Sequence, residues 1–238
     1  MNLNLEQLIK ICNAKCVIGE TLVNQINFKN IEIQHLLYDS RRLNFIDNTL
    51  FFAFKTTNND GHKYIKELYN KGIRLFICEE LQDLNQFPDA VFLLVKDSLE
   101  ALQKIAKYKR DNFHKEVVAI TGSNGKTIVK EWIVQLAQEN KKICYSPRSY
   151  NSQIGVALSL WQLNTNYDLG LFEAGISKPN EMTRLQEMIQ PTIGIFTNIG
   201  SAHQINFSSL EEKIEEKLKL FTTCKTLICS KDDIFLYN

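Results

Sequence analysis

From Glu116 to Asn140 the chain reads EVVAITGSNGKTIVKEWIVQLAQEN, and no other stretch restricts the possible folds as much. A short apolar run of strand length leads into a tight loop that closes on Gly125-Lys126-Thr127. Apolar pairs at Ile128/Val129, Trp132/Ile133 and Leu136/Ala137 then recur at helical spacing. Strand, glycine-bearing loop and helix in this order predict a phosphate-binding loop. Backbone N–H groups unpaired at a helix start, with the positive end of the helix dipole behind them, form an anion site. Gly122, Ser123, Asn124 and Gly125 would line it, Lys126 would add a mobile positive charge, and the Thr127 hydroxyl could ligate magnesium. The usual glycine five positions before Gly125 is replaced by Ile120, so the motif is a shortened form. The plain alternative is a glycine-rich turn beside a surface lysine.

A loop of this kind needs an α/β sheet around it, and the 238 residues suffice for two domains of ordinary size. Apolar residues make up 44% and charged residues 23% of the chain, as in soluble globular proteins. The formal net charge of +1 gives no electrostatic reason to expect nucleic acid or an anionic membrane as partner. The six cysteines, Cys12, Cys16, Cys78, Cys144, Cys224 and Cys229, form no CxxC pair, which points to reduced thiols rather than a zinc site or a disulfide framework. The N-terminal MNLNLEQLIK is not a signal peptide, and no segment reaches membrane-spanning length. A cytoplasmic protein is expected.

Before the loop, Leu5, Leu8, Ile9 and Cys12 predict a short amphipathic helix. Residues 31–38 and Leu50 to Phe54 read as strands, and a helix from about His62 to Asn70 stops at Gly72. Strands at Ile73 to Cys78 and Ala90 to Val95 complete an α/β pattern. Asp97 to Glu100 resembles a capping box for a helix running to about Asn112. Its charged end marks the expected boundary between a small N-terminal α/β domain, 1–113, and a phosphate-loop α/β domain with a mainly parallel sheet, 114–238. In the second domain, strands are expected at Lys142 to Tyr145, Leu169 to Ala174 and Ile193 to Ile199. Helices are expected from Ser152 to Leu163, from Pro179 to about Ile189 and from about Ser209 to Phe221.

The last of these helices carries an anomaly. Leu210, Ile214, Leu218, Leu220 and Phe221 form its apolar face, and Lys217 falls inside that face. Either Lys217 snorkels to the rim, or it faces a polar cavity where it is paired, deprotonated or modified. Glu173 ends an apolar strand, where open α/β sheets place their ligands and where a carboxylate could hold magnesium; the alternative is a solvated loop glutamate. His203 also follows a strand end, although a lone histidine is more often a hydrogen-bonded structural residue. Asp39-Ser40-Arg41 and Asp60-Gly61-His62, taken alone, are consistent with simple turns.

Four runs in order add a resemblance: Thr-Gly-Ser-Asn-Gly-Lys-Thr at 121–127, Ser-Tyr-Asn-Ser-Gln-Ile-Gly-Val at 149–156, Phe-Glu-Ala-Gly at 172–175 and Thr-Asn-Ile-Gly-Ser-Ala-His at 197–203. Together they resemble the ordered motifs of the Mur ligases. The similarity is strong over 116–221 and softer earlier, where Asp-Ser-Arg at 39–41 and Asp-Gly-His at 60–62 are similar to the family's UDP-sugar domain. Residues 146–153 and 176–182 resemble the ligase half of bifunctional ligase/alanine racemase chains. Within the family, the resemblance implies the branch that uses ATP and Mg2+ to add D-alanyl-D-alanine to UDP-N-acetylmuramoyl-tripeptide through an acyl phosphate, in peptidoglycan precursor synthesis.

The same resemblance implies roles for individual residues. Lys126 would contact the β- and γ-phosphates, and Thr127, Glu173 and His203 would serve magnesium. Lys217 would be the lysine that many Mur ligases carry as a carbamate. Asn151 would lie in the substrate-facing loop, and Ser40 and Arg41 near the uridine diphosphate. Ala157 and Ser201 stand where the family often has proline, which bears on loop rigidity and not on chemistry. Because Mur ligases carry a third domain, the sequence is expected to be a fragment whose ATPase domain is incomplete, competent at most for partial binding. Two other readings are a ligase like folylpolyglutamate synthase, disfavoured by the 115 or so residues before the loop, and a non-catalytic nucleotide or UDP-sugar binding module.

Overall fold

A computed structural model describes residues 3–22, 27–200 and 206–232. The chain folds as two compact units, Met1–Ile105 and Ala106–Asn238, with the division inside one helix. Both are α/β.

The first unit runs β1 (Leu3–Asn4), α1 (Leu5–Cys12), β2 (Lys15–Ile18), β3 (Glu32–Ile33), β4 (His35–Leu37), β5 (Thr49–Phe52), α2 (Ile65–Asn70), β6 (Leu75–Cys78), β7 (Val91–Leu94) and α3 (Ser98–Asp111). Asn4 opens α1 through a capping box: its side chain accepts from the Gln7 N–H, and the Gln7 side chain accepts from the Asn4 N–H. The main sheet has the order β2-β7-β6-β5-β4, parallel except where β2 meets β7. Every residue of β5 and β6 is buried, as expected for parallel strands covered on both faces. Phe51, Phe76 and Phe92 fill the core, with the Phe76 and Phe92 rings stacked at 5.2 Å. The helix expected from His62 begins as a 3-10 turn, Gly61–Tyr64, because the Asp60 carboxylate caps the His62 N–H at 2.9 Å.

The second unit runs β8 (Val117–Thr121), α4 (Lys126–Ala137), β9 (Ile143–Tyr145), α5 (Gln153–Trp161), β10 (Leu169–Glu173), α6 (Glu181–Ile189), β11 (Ile193–Phe196), α7 (Leu210–Leu218) and β12 (Thr226–Cys229). Its sheet has the order β12-β11-β8-β10-β9, with all four pairings parallel. The charged end of α3 belongs to this unit. Arg110 is buried there, and its guanidinium donates to the carbonyls of Ile189, Gln190 and Phe113, each at 2.7 Å. It thereby satisfies carbonyls left open at the end of α6.

Two local features depart from the sequence pattern. Helix α6 starts at Glu181, after Asn180 in the left-handed region at φ 66°, so Pro179 stands outside the helix. In α4, Val129, Ile133 and Ala137 pack on Val118, Ile120 and Leu171, but their partners Ile128, Trp132 and Leu136 are exposed at 56%, 62% and 81%. Each apolar pair therefore contributes one residue to the core, because adjacent positions lie about 100° apart around a helix.

Strand β8 lies between β10 and β11, and the chain crosses over it to pass from one side of the sheet to the other. Open α/β sheets bind ligands at the carboxyl ends of strands beside such a reversal. Here those ends deliver Thr121–Gly122, Glu173–Ala174 and Thr197–Asn198 to one place.

Candidate active site

The loop after β8 is set by two glycines with different tasks. Gly125 caps α4 at φ 80°, without a side-chain capping bond, and a Cβ there would meet nothing within 4 Å. It supplies left-handed backbone and leaves the first N–H groups of α4 to an external acceptor. Gly122 sits at φ 145°, and a Cβ there would lie 2.0 Å from Thr197 Oγ1. That close approach lets the loop after β11 brace the first: Asn198 accepts from the Ser123 N–H at 2.8 Å and, through Oδ1, from the Asn124 N–H at 3.0 Å. Thr197 Oγ1 donates to the Asn124 carbonyl at 2.6 Å. Gly122→Ala, which adds a clash to the backbone strain, is expected to lower stability by well over about 1 kcal/mol, whereas Gly125→Ala adds strain alone. Urea unfolding of the two variants checks this; equal losses would show that the contact with Thr197 carries no weight.

Glu173, the last residue of β10, is 1% exposed, which rules out a solvated loop glutamate. Its Oε2 accepts from Thr127 Oγ1 at 2.8 Å, and its Oε1 accepts from Asn151 Nδ2 at 2.7 Å. Lys130, fully buried on α4, stands 3.8 Å from Oε2. Its ammonium donates to the Ser146 carbonyl at 2.7 Å and to the Arg148 carbonyl, holding the segment that leads to Asn151. Sequence reasoning missed Lys130. The available signal was its spacing, three after Thr127 and four before the buried Val134, which puts it on the inward face.

Three further lysines converge on the loop. Lys126 Nζ donates to the carbonyls of Gly122 at 2.9 Å and Ser123 at 3.1 Å. Lys217, 4% exposed, donates to the same Gly122 carbonyl at 3.2 Å, so it does not snorkel to the rim. Lys213, one turn earlier on α7 and also buried, donates to the Gly200 carbonyl. Burial, reinforced by Lys126 and Lys213, pushes Lys217 down to about 7, so its amine is largely neutral in mildly alkaline solution. Burial also lowers Lys126, against the pull of Glu173, and lowers Lys213 together with the charge of Lys126.

Thr127 and Glu173 offer hard oxygen donors side by side at the start of α4. Among the described residues no group of three or more His, Cys, Asp or Glu is placed to hold a metal. A hydroxyl beside one carboxylate is a donor set that magnesium accepts, since it takes one or two carboxylates and completes its shell with phosphate oxygens and water. His203 lies outside the described residues. Ser40 and Arg41 belong to the first unit, in a 3-10 turn capped by Asp39. There the exposed Arg41 guanidinium grips Asp39 at 2.9 and 2.8 Å and holds that carboxyl below its usual range. The described residues thus bring Lys126, Thr127, Asn151, Glu173 and Lys217 together around one loop.

Comparison with known proteins gives a consistent result. Residues 120–237 match the Mur ligase middle domain, and residues 32–110 match the family model described as Mur ligase family, catalytic domain. The UDP-N-acetylmuramoyl-tripeptide--D-alanyl-D-alanine ligase of Borreliella burgdorferi is 34% identical over 204 residues, covering 82% of this chain and 44% of that protein. The ligase of the same name from Rickettsia prowazekii is 33% identical over 231 residues, covering 96% and 48%. The chain spans about half the length of the curated relatives it matches. Among solved structures, MurF from Acinetobacter baumannii shares the fold with a TM-score of 0.86 at 23% identity, over 99% of this chain and 50% of that one. The MurF ligase of Thermotoga maritima, in complex with ADP, has a TM-score of 0.74 at 27% identity, over 84% and 46%. No helix among the described residues is long and apolar enough to cross a membrane.

Proposed function

Because the chain belongs to the Mur ligase family, we propose that it serves the ATP-dependent joining of D-alanyl-D-alanine to UDP-N-acetylmuramoyl-tripeptide, in the cytoplasmic phase of peptidoglycan synthesis. The observation that carries this reading is the Thr127–Glu173 pair at the uncapped start of α4, with Lys126 beside it. Two curated relatives above 30% identity with that activity in their names support the substrate assignment.

In the proposed reaction a tripeptide carboxylate oxygen attacks the γ-phosphorus of ATP; a P–O bond forms as the bond to ADP breaks, giving an acyl phosphate. The amine of D-alanyl-D-alanine then forms the C–N bond, inorganic phosphate leaves, and the amine gives up a proton. This chain's residues act by position and charge. The N–H groups at the start of α4 receive phosphate oxygens, and Lys126 swings from its loop carbonyls onto the β- and γ-phosphates. Thr127 and Glu173, and by the family resemblance His203, would hold magnesium, which would supply charge neutralisation at the phosphoryl oxygens. Asn151 keeps Glu173 oriented from the substrate-side loop. The neutral amine of Lys217 is the form that would add to carbon dioxide, with loss of a proton, to give a carbamate, an anion that would suit a magnesium site. In the first unit, Ser40 and Arg41 receive the uridine diphosphate.

Isothermal titration tests the proposal. The 238-residue chain is expected to bind Mg·ATP and UDP-N-acetylmuramoyl-tripeptide, each with a dissociation constant of about 1 μM–1 mM, the range usual for enzyme substrates. Binding of neither would contradict it.

A further inference from the structure

Lys213 brings a further buried amine to the loop after β8, beside the half-buried Lys126 and the buried Lys217. Lys213 is 1% exposed and lies on the same face of α7 as Lys217, four residues earlier. Its ammonium is bonded to the Gly200 carbonyl, and Gly200 is joined to Ser123 through the Ser123 hydroxyl, at 2.9 Å from the Gly200 N–H and 3.2 Å to the Gly200 carbonyl. Lys126 also touches Ser123, through that residue's carbonyl at 3.1 Å. Three lysines thus surround residues 122–123.

Among the described residues their hydrogen-bond partners are all carbonyl oxygens, and none of the three is ion-paired. The nearby acids are engaged elsewhere. Glu216 accepts from the Met182 N–H at 3.0 Å and from Lys219 at 2.6 Å. Glu212 accepts from the Ser208 N–H at 2.6 Å. Glu173 is held by Thr127, Asn151 and Lys130. Lys213 is buried and Lys126 half-buried, and neither has a counter-charge among the described residues, which is unfavourable; an anion entering the loop relieves both.

We propose that Lys213 is a further phosphate-binding residue, which takes the terminal phosphate of a nucleoside triphosphate beside Lys126. Lys213 reaches the loop from the Gly200 side of Ser123, whereas the N–H groups of α4 begin three residues later, at Lys126. A phosphate chain seated on the helix start therefore gives its inner phosphates to the helix N–H groups and its terminal phosphate to Lys213, with Lys126 between the two. The inference rests on the nucleotide-site reading above and adds a residue that discriminates triphosphate from diphosphate.

The test compares affinities of the 238-residue chain for ADP and for the non-hydrolysable triphosphate AMP-PNP, both with Mg2+, before and after Lys213→Met. Methionine fills the same buried space without a charge, so the melting temperature is expected to hold or rise. AMP-PNP affinity is expected to fall about tenfold or more, the scale of one charge-assisted hydrogen bond, while ADP affinity changes less than about twofold. Lys213→Arg, which keeps the charge, is expected to recover part of the preference; Lys213→Gln repeats the comparison if the methionine variant does not fold. Equal losses for both nucleotides, or no loss for either, would overturn the role of Lys213. An unmodified chain that binds neither nucleotide would instead overturn the nucleotide-site reading itself.

Discussion

Lys130→Met is expected to lower the stability of the second unit by roughly 3–5 kcal/mol, the usual effect of removing one partner from a buried charge pair. Methionine matches the lysine stem in length, so the loss comes from the ammonium. Without it the carbonyls of Ser146 and Arg148 lose their donor, and Glu173, itself 1% exposed, loses its nearest cation. Thermal unfolding followed by circular dichroism is expected to show a drop on the order of 10 °C or more. A shift of only a degree or two would mean that water or a rearranged Arg148 segment replaces the ammonium at little cost, and that Lys130 is not structural. Glu131, 3.3 Å from the same ammonium and 43% exposed, adds little, since exposed ion pairs contribute at most about 1 kcal/mol.

Lys126→Ala is expected to act on chemistry rather than on stability. Its ammonium rests on two carbonyls of its own loop, so its loss leaves the braces from Thr197 and Asn198 in place. The phosphates lose the charge that follows them into the transition state. In a protein of the relatives' full length, the ligation rate is expected to fall about 10²–10³-fold, as when a positioned donor to a developing anion is removed. Affinity for UDP-N-acetylmuramoyl-tripeptide, assigned to the first unit, is expected to stay within about twofold of its starting value. Phosphate release and titration of the UDP substrate check both halves. An unchanged rate would remove Lys126 from the mechanism, and parallel losses of rate and UDP-substrate affinity would point to misfolding.

Much of the second unit was legible because parallel strands buried on both faces give continuous apolar runs, as in Val117–Thr121 and Leu169–Glu173. The strand Thr226–Cys229 was not anticipated. It sits at the sheet edge with three of its four residues exposed, so burial imposed no pattern on it. Glu173 could be found because it ends an apolar run, and Lys217 because it interrupts an apolar face. Lys213 and Glu216 could not, since a wheel built from apolar positions treats every charged residue outside the face as solvated. Helix α7 instead buries Lys213, Glu216 and Lys217 beside a single aliphatic residue, Ile214. Lys130 was hidden by the opposite error. Ile128, Trp132 and Leu136 suggested an inward face that the structure leaves exposed.

The proposed chemistry depends above all on Thr127 and Glu173 holding the metal of a nucleotide seated on the start of α4. A crystal structure of the chain with ADP and Mn2+, with the metal located by its anomalous signal, decides whether they do. The expected result is a peak bonded to oxygen atoms of Thr127 and Glu173, with diphosphate oxygens on the N–H groups that follow Gly125 and Lys126 turned away from the Gly122 carbonyl. Nucleotide density elsewhere in the unit, or a Thr127–Glu173 pair still closed at 2.8 Å with no metal between ADP and protein, would contradict it.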